Sequence, residues 1–256
     1  MRIAMGVEYD GSGFNGWQIQ PQGGVRTVQD CVEAALARVA DQPVRVHCAG
    51  RTDTGVHGLG QVIHFDTDAE RSAHAWVFGA NANLPSDVSM VWARVVDTSF
   101  HARFSAQRRR YRYVIFNRRV RPAIMATNLA WDYRPLDERR MIRAASYLVG
   151  EHDFSSFRAY ACQAKTPVRT VHELTITRTG LHVTIEIEAN GFLHHMVRNI
   201  AGVLMAIGAG EHDIDWIGDV LAARDRQLGG VTAPPQGLTL MAVRYPAHFD
   251  LPNNGD

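Results

Sequence analysis

Two halves of this chain carry the same order of hydrophobic patterns, and this repeat constrains the fold more than any other feature. The first half begins with a strand over 1–9, in which apolar residues alternate with small or polar neighbours. A helix follows, opened by Thr27 with Asp30 three residues later, which approximates a capping box. The remaining elements expected in this half are a strand over 44–48, a strand over 61–65, a helix over 72–80 and a strand over 88–96.

The second half repeats the pattern. Its expected elements are a strand over 110–116, a helix over 137–149, strands over 173–178 and 181–189, helices over 194–207 and 216–223, and a strand over 238–245. Each half therefore predicts the order β-α-β-β-α-β, the split βαβ unit. We expect an α+β protein with an N-terminal lobe over 1–105 and a C-terminal lobe over 106–256. The antiparallel or mixed sheets of the two lobes should be brought together around a central cleft.

The composition is that of a globular protein, with 46% hydrophobic and 21% charged residues among 256. No segment has the pattern of a signal peptide, and no apolar run is long enough to span a bilayer. The three cysteines are odd in number and widely spaced, which argues against a disulfide framework and favours a reducing compartment. These features predict a cytoplasmic protein without a membrane partner.

The basic residues are concentrated in one stretch, although the net charge is only +1. No acidic residue occurs from Thr98 to Trp131, whereas eight arginines do, which is typical of a surface that follows a phosphate backbone. An arginine-rich composition, with Lys165 as the only lysine, would also produce such a stretch.

The sequence AGRTDTGVHG at 49–58 places one aspartate, Asp53, in a polar, glycine-rich loop. Asp, Thr and Gly are all turn formers, so an isolated D-T-G would be interpreted as a turn. An aspartic protease also uses Asp-Thr-Gly, but it needs two carboxylates that share a proton, and Arg51 would oppose such sharing. A third interpretation is that Arg51 holds Asp53 ionised as a nucleophile or general base.

The loop and four further blocks resemble the tRNA pseudouridine synthases that modify positions 38, 39 and 40 of the anticodon stem-loop. The other blocks are YDGSGFNGWQ, ARFSAQRRRYRY, NGFLHHMVRN and GLTLMAVRYP, and they occur in the family's order. The resemblance implies an isomerase that detaches uracil from its ribose and rejoins it through C5, with Asp53 as the nucleophile. It implies a tRNA partner and a homodimer, and no cofactor or metal, because substrate and product are isomers.

The same resemblance implies roles for residues of the second half. Tyr111 matches a tyrosine that stacks on the flipped base, whereas Tyr113 is interpreted as an ordinary strand aromatic. Arg198 matches an arginine that faces the catalytic aspartate. Leu240, or alternatively Leu238, matches a leucine of the base pocket.

Strand alternation adds one candidate to this set. Arg108, Arg110 and Arg112 should share one face of their strand, and Arg109 should share the other face with Tyr111. Arg109 is therefore expected to contact a phosphate of the substrate. The three arginines on the opposite face would contact the RNA backbone at a greater distance from the flipped base, or they would be solvated.

Two further questions arise from the sequence. Adjacent His194 and His195 should diverge on a helix, so we expect no metal there.

A non-catalytic RNA-binding protein on the same fold is the alternative function. Asp53 argues against it, because an acid directed at a polyanion does not help simple RNA binding.

Overall fold

The computed structural model describes residues 1–20 and 23–252. The chain forms two compact units, one of Met1–Arg108 with the segment from Thr239 onward, and one of Arg109–Leu238. The sequence suggests that two lobes meet after residue 105, and this domain boundary stays a prediction. Within the described residues, no helix has both the length and the apolar character needed to cross a bilayer.

The first unit has the β-α-β-β-α-β order that its sequence predicts. Its elements in chain order are β1 (Arg2–Tyr9), α1 (Val28–Ala40), β2 (His47–Cys48), β3 (His57–Asp66), α2 (Ala73–Asn81) and β4 (Val88–Val96). The Thr27 side chain accepts a hydrogen bond from the backbone N–H of Asp30, so the predicted cap of α1 is confirmed. Ser72 caps α2 in the same way.

The second unit contains most of the remaining elements. These are β5 (Arg108–Asn117), β6 (Ala130–Asp132), α3 (Glu138–Ala145), β7 (Gly150–Asp153), β8 (Val168–Thr179), β9 (His182–Ala189), α4 (Met196–Gly208) and α5 (Trp216–Ala223). The last strand, β10 (Leu238–Arg244), lies in the first unit from Thr239 onward. The α+β class and the split βαβ order are therefore confirmed.

In the first unit the strand order is β4-β1-β3-β10, with the short β2 also paired to β3. β1 runs antiparallel to β3 and β4, and β10 runs parallel to β3. The two helices pack on one face, where buried side chains of β1 meet those of α1 and α2. The other face is covered by residues 100–102 and by the chain after β10. Both faces of β1 and β3 are therefore buried, which fixes the loop that enters β3.

In the second unit the strand order is β5-β9-β8-β7, and β6 pairs parallel with β5. The pairs among β5, β9, β8 and β7 are antiparallel. α3 packs against β8 and α4, and α5 packs against α3 and α4. α4 is almost fully buried, as its apolar sequence predicts.

The structure differs locally from the sequence predictions in several places. The helix expected over 137–149 ends at Ala145 and continues as a 3-10 turn over Ser146–Leu148. The helix expected from residue 194 begins at Met196, because His195 is left-handed with φ of 62°. The short strands β6 and β7 are not predicted by the sequence, because three or four residues carry too little periodicity.

Candidate active site

Asp53 lies in the loop between β2 and β3, and buried groups fix the entry to this loop. The side chain of Gln61 is fully buried and donates from its amide nitrogen to the carbonyl of Gly50 at 2.6 Å. The N–H of Gly50 donates back to the Gln61 side-chain oxygen at 3.4 Å. The N–H of Ala49 donates to the carbonyl of Val62 at 2.8 Å. The chain therefore reaches Asp53 from a fixed direction.

The residue immediately before Asp53 is held by both its side chain and its backbone. Thr52 is only 7% exposed, and its hydroxyl is hydrogen-bonded to the hydroxyl of Tyr9 at 2.8 Å. The carbonyl of Thr52 accepts a hydrogen bond from the N–H of Trp17 at 3.0 Å. Neither contact is apparent from the sequence, although Tyr9 opens the YDGSGFNGWQ block.

The loop that follows β1 lies directly against the Asp53 loop, and two glycines permit this approach. A Cβ on Gly11 would lie 1.9 Å from the carbonyl oxygen of Val56. Gly16 has φ of +84°, and its Cβ would lie 2.8 Å from the carbonyl oxygen of Thr52. The carbonyl of Asp53 itself accepts a hydrogen bond from the N–H of Val56 at 3.1 Å, which closes a tight turn. Asp53 is half-buried on this rigid turn.

The sequence predicts that Arg51 pairs with Asp53, and the structure does not contain this ion pair. Arg51 is exposed and has no hydrogen bond or ion pair within the described part of the chain. An ion pair made by an exposed guanidinium gains little in water, because the guanidinium keeps its hydration without the pair. The described residues therefore do not form the direct Arg51–Asp53 pair, and a catalytic role for Arg51 stays a prediction. The guanidinium remains accessible to an anionic ligand.

Leu240 lies in the same unit as Asp53. It is fully buried on β10, opposite Gly58 of β3. The two strands are very close there, since a Cβ on Gly60 would lie 2.2 Å from the carbonyl oxygen of Met241. Leu238 is also buried but is the last residue of the second unit. The choice of Leu240 as the pocket leucine stays a prediction.

Tyr111 belongs to the second unit, on β5, where it pairs with Ile187 of β9. Its side chain is 8% exposed, and its ring contacts that of Phe192 edge to face, with centroids 5.1 Å apart. The neighbouring aromatic on this face, Tyr113, is fully buried, and its hydroxyl donates to the carbonyl of Pro234 at 2.9 Å. The interpretation of Tyr113 as a structural strand aromatic agrees with this contact.

Arg198 lies in the first turn of α4, as the sequence predicts. It is half-buried, and its Nε donates to the carbonyl of Ala233 at 2.9 Å. The N–H of Ala233 donates to the carbonyl of Arg198 at 3.1 Å, so α4 and this segment are joined twice. Burial raises the pKa of the Tyr113 hydroxyl, and the charge of Arg198 partly opposes that increase.

The arginines of β5 have the alternation that the sequence predicts, but two of them already share one acidic partner. Arg110 and Arg112 both form ion pairs with Glu186 of β9, at 2.8 Å and 2.7 Å. These pairs lower the pKa of Glu186, against the opposing effect of its burial. Arg109 shares its face with Tyr111 and donates to the carbonyl of Asn190 at 3.1 Å. The basic stretch therefore contains fewer uncompensated charges than the sequence indicates.

The expectation that His194 and His195 diverge on a helix is wrong. Neither residue is in α4, and their ring centroids lie 4.1 Å apart. Because His195 adopts a left-handed conformation, the helical rule for adjacent side chains does not apply to this pair.

The sequence of this chain is similar to that of known proteins. A protein-family model described as "tRNA pseudouridine synthase" matches residues 5–105 and 144–246. A tRNA pseudouridine synthase A from Coxiella burnetii is 58% identical over 251 residues, which cover 98% of this chain and 95% of that protein. A protein of the same name from Nitrosococcus oceani is 60% identical over 252 residues, covering 98% of this chain and 96% of that protein.

Among solved structures, the similarity is weak. A chain of the structure titled "Crystal Structure of a Cbf5-Nop10-Gar1 Complex" matches with a TM-score of 0.38 and 10% sequence identity. The match covers 93% of this chain and 57% of that chain.

Proposed function

The chain belongs to the tRNA pseudouridine synthase family, and we propose that it converts uridine to pseudouridine at positions 38, 39 and 40 of the anticodon stem-loop of tRNA. The observation that supports this proposal most directly is the setting of Asp53. A half-buried carboxylate stands on a turn whose neighbours are fixed by Thr52, Tyr9 and two close-approach glycines. A carboxylate that is held in position in this way is suited to act as a catalytic nucleophile.

The proposed reaction needs no redox partner. The bond between C1′ and N1 of the uridine breaks, and a bond between C1′ and C5 forms. The proton on C5 is lost and N1 gains one, so substrate and product have the same composition. We therefore propose that neither a metal nor an organic cofactor takes part. Enzyme dialysed against EDTA should keep its activity, and loss that is restored by a divalent cation would contradict this point.

Asp53 supplies the nucleophile in this proposal, and the substrate base must come to it. A uridine stacked in an RNA stem is out of reach of a side chain, so it is extruded at a cost of a few kcal/mol. Tyr111, beside Phe192, receives the extruded base by stacking. Leu240 supplies apolar surface for the base, and Arg198 acts beside the reacting groups.

We propose that Arg51 binds a phosphate instead of pairing with Asp53. Because its guanidinium is exposed and lacks an acidic partner within the described residues, we assign it to a phosphate of the flipped nucleotide. Arg109, on the face of β5 that carries Tyr111, is assigned to a second phosphate. Both contacts would position the substrate without reading its sequence.

The similarity to this family also supports a proposal for the partner and the assembly. The substrate partner is tRNA, and we propose a homodimer in which one tRNA stem contacts both subunits. The protein would act in the cytoplasm, where its substrate is made. Analytical ultracentrifugation should give a mass near twice that of the 28.5 kDa chain, and a monomer that is fully active would contradict the dimer.

One experiment tests the function and separates it from simple RNA binding. Pseudouridine is mapped in total tRNA from cells that have or lack this protein, and in unmodified tRNA incubated with the purified enzyme. The expected result is pseudouridine at 38–40 only where the protein is present. Unchanged uridines in tRNA that the protein nevertheless binds would instead support the non-catalytic alternative.

A further inference from the structure

A half-buried arginine of the second unit, Arg226, has only uncharged partners. It begins the 3-10 turn Arg226–Leu228 that follows α5. Its guanidinium donates to the carbonyl of Gly229 at 3.2 Å, to the Asn199 side-chain oxygen at 3.2 Å and to the Thr232 hydroxyl at 2.9 Å. No carboxylate of the described residues forms an ion pair with it.

The partners hold the guanidinium in one orientation. Asn199 is 1% exposed, and its amide nitrogen donates to the carbonyl of Phe157 at 2.7 Å. The Thr232 hydroxyl donates to the same Asn199 oxygen at 2.7 Å. The acid next in sequence, Asp225, accepts a hydrogen bond from the N–H of Gln227 at 2.9 Å. The guanidinium is therefore oriented and partly desolvated, and no carboxylate of the described residues neutralises its charge.

The guanidinium lines a surface pocket of about 380 Å³, formed within the second unit by Ala159, Tyr160, His195, Arg226, Gln227, Gly229 and Thr232. Tyr160 is 78% exposed, which leaves its ring accessible to a flat ligand. The surrounding segment 158–168 contains Arg158 and Lys165 and no acidic residue. His195 precedes the first turn of α4, so the positive end of that helix adds to the field at this wall.

We propose that this pocket binds a phosphodiester of the tRNA substrate through Arg226, with the attached base stacked on Tyr160. The proposal rests on the proposed function. The planar guanidinium fits two phosphate oxygens at once, and an exposed tyrosine ring stacks on any base. A free phosphate would use the same guanidinium but would gain nothing from Tyr160. The exposed aromatic therefore favours a nucleotide of an RNA chain.

The test compares Arg226→Gln with Arg224→Gln. Glutamine at 226 removes the charge and keeps a side-chain donor for Asn199 and Thr232. Arg224 is the C-cap residue that follows α5, pairs with Asp153 at 3.6 Å and does not line the pocket, so its variant controls for net charge. Binding of unmodified tRNA is titrated at several salt concentrations, with both variants in an Asp53→Asn background that prevents turnover.

Arg226→Gln should weaken binding about tenfold at low salt and lower the log–log salt slope by about one. Arg224→Gln should leave the slope unchanged. Equal affinities and parallel lines for the two variants would overturn the proposal. Thermal unfolding of each variant reports whether the hydrogen bonds of the substituted side chain matter for the fold.

A second pair of variants avoids the folding question, because Tyr160 is exposed. Tyr160→Ala should weaken tRNA binding on the order of tenfold, whereas Tyr160→Phe should bind like wild type. Equal binding by Tyr160→Ala and wild type would refute the stacking contact.

Calorimetry with inorganic phosphate completes the test. Phosphate binding lost in Arg226→Gln, with tRNA binding unchanged, would identify a free-anion site and overturn the RNA assignment.

Wild-type pseudouridine formation is measured beside these titrations. If the wild-type protein forms no pseudouridine in tRNA, the proposed function fails, regardless of how Arg226→Gln binds tRNA. If wild type is active and Arg226→Gln binds tRNA as Arg224→Gln does, only the pocket assignment fails.

Discussion

The hydroxyl of Tyr9 lies 2.8 Å from Oγ1 of Thr52, the residue immediately before Asp53. Both side chains are buried, with 3% and 7% of their surface exposed. Tyr9 ends β1, which is paired on both sides within its sheet. The hydroxyl pair therefore connects the candidate catalytic turn to the most constrained strand of the first unit.

Removal of this hydrogen bond should reduce turnover more than binding. Thr52→Val keeps the shape of the side chain but loses the hydroxyl, and with it the hydrogen bond to the Tyr9 hydroxyl. We expect a fall in kcat of about 10- to 100-fold, because a small displacement of Asp53 weakens its attack. The free energy of unfolding should fall by about 1 kcal/mol.

Thr52→Ser is the matched control, since it keeps the hydroxyl and should keep most of the activity. Single-turnover rates and tRNA affinity are measured for both variants. If Thr52→Val loses tRNA affinity and keeps its single-turnover rate, the contact does not position Asp53.

Asp53→Asn should abolish pseudouridine formation. The amide keeps the size of the side chain but removes the negative charge and the nucleophile. The affinity for tRNA should stay the same or rise, because one repulsion with phosphate is lost. Residual multiple turnover in a preparation free of wild-type enzyme would exclude the nucleophilic role.

Tyr111 and Tyr113 should respond differently to truncation. Tyr111→Ala removes the stacking ring and should weaken capture of the base by ~1–3 kcal/mol, while Tyr111→Phe keeps the ring and tests only the hydroxyl. Tyr113→Phe removes the bond to the carbonyl of Pro234, so it should lower the free energy of unfolding by about 1 kcal/mol without changing the rate. A silent Tyr111→Ala would make Tyr111 another structural aromatic.

The features that local sequence determines were predictable. The cap formed by Thr27 and Asp30 joins residues three apart, so a capping pattern is enough to place the start of α1. The alternation of β5 was predictable for the same reason, because neighbouring side chains of a strand point to opposite faces.

The features that join distant residues were not predictable. Tyr9 and Thr52 are 43 residues apart, and Arg112 and Glu186 are 74 apart. Their contacts depend on strand register, which periodicity alone does not give. The left-handed conformation of His195 is a further case, because no local pattern in the sequence shows that α4 begins at Met196 rather than at His194.

His64 should make the folded state less stable as the pH falls. Burial, together with the charges of nearby His101, His47 and Arg2, lowers the pKa of this histidine to about 4, although Asp66 opposes the shift. The N–H of Ala102 donates to Nδ1 of His64 at 3.1 Å, so the folded state requires a neutral ring.

Because the unfolded chain takes up this proton below about pH 6.5, stability is full above that pH and declines by about 1.4 kcal/mol per unit as the pH falls towards 4. Urea unfolding between pH 4 and 8 measures this dependence. His64→Gln should flatten it, whereas His74→Gln, at an exposed position of α2, should not. Identical pH profiles for wild type and His64→Gln would show that this ring does not titrate with folding.

Arg109 should account for a measurable part of the salt dependence of tRNA binding. Its side chain shares a face of β5 with Tyr111, whereas Arg112 on the opposite face is already paired with Glu186. A phosphate contact releases condensed counterions, and a contact with Glu186 does not. Arg109→Ala should therefore lower the log–log salt slope by about one and weaken binding at low salt. Arg112→Ala should change the slope little, because the guanidinium of Arg112 is already paired with Glu186 rather than with a phosphate. If Arg109→Ala and wild type give parallel lines over several salt concentrations, Arg109 does not contact the backbone, and the arginines of β5 serve the sheet rather than the RNA.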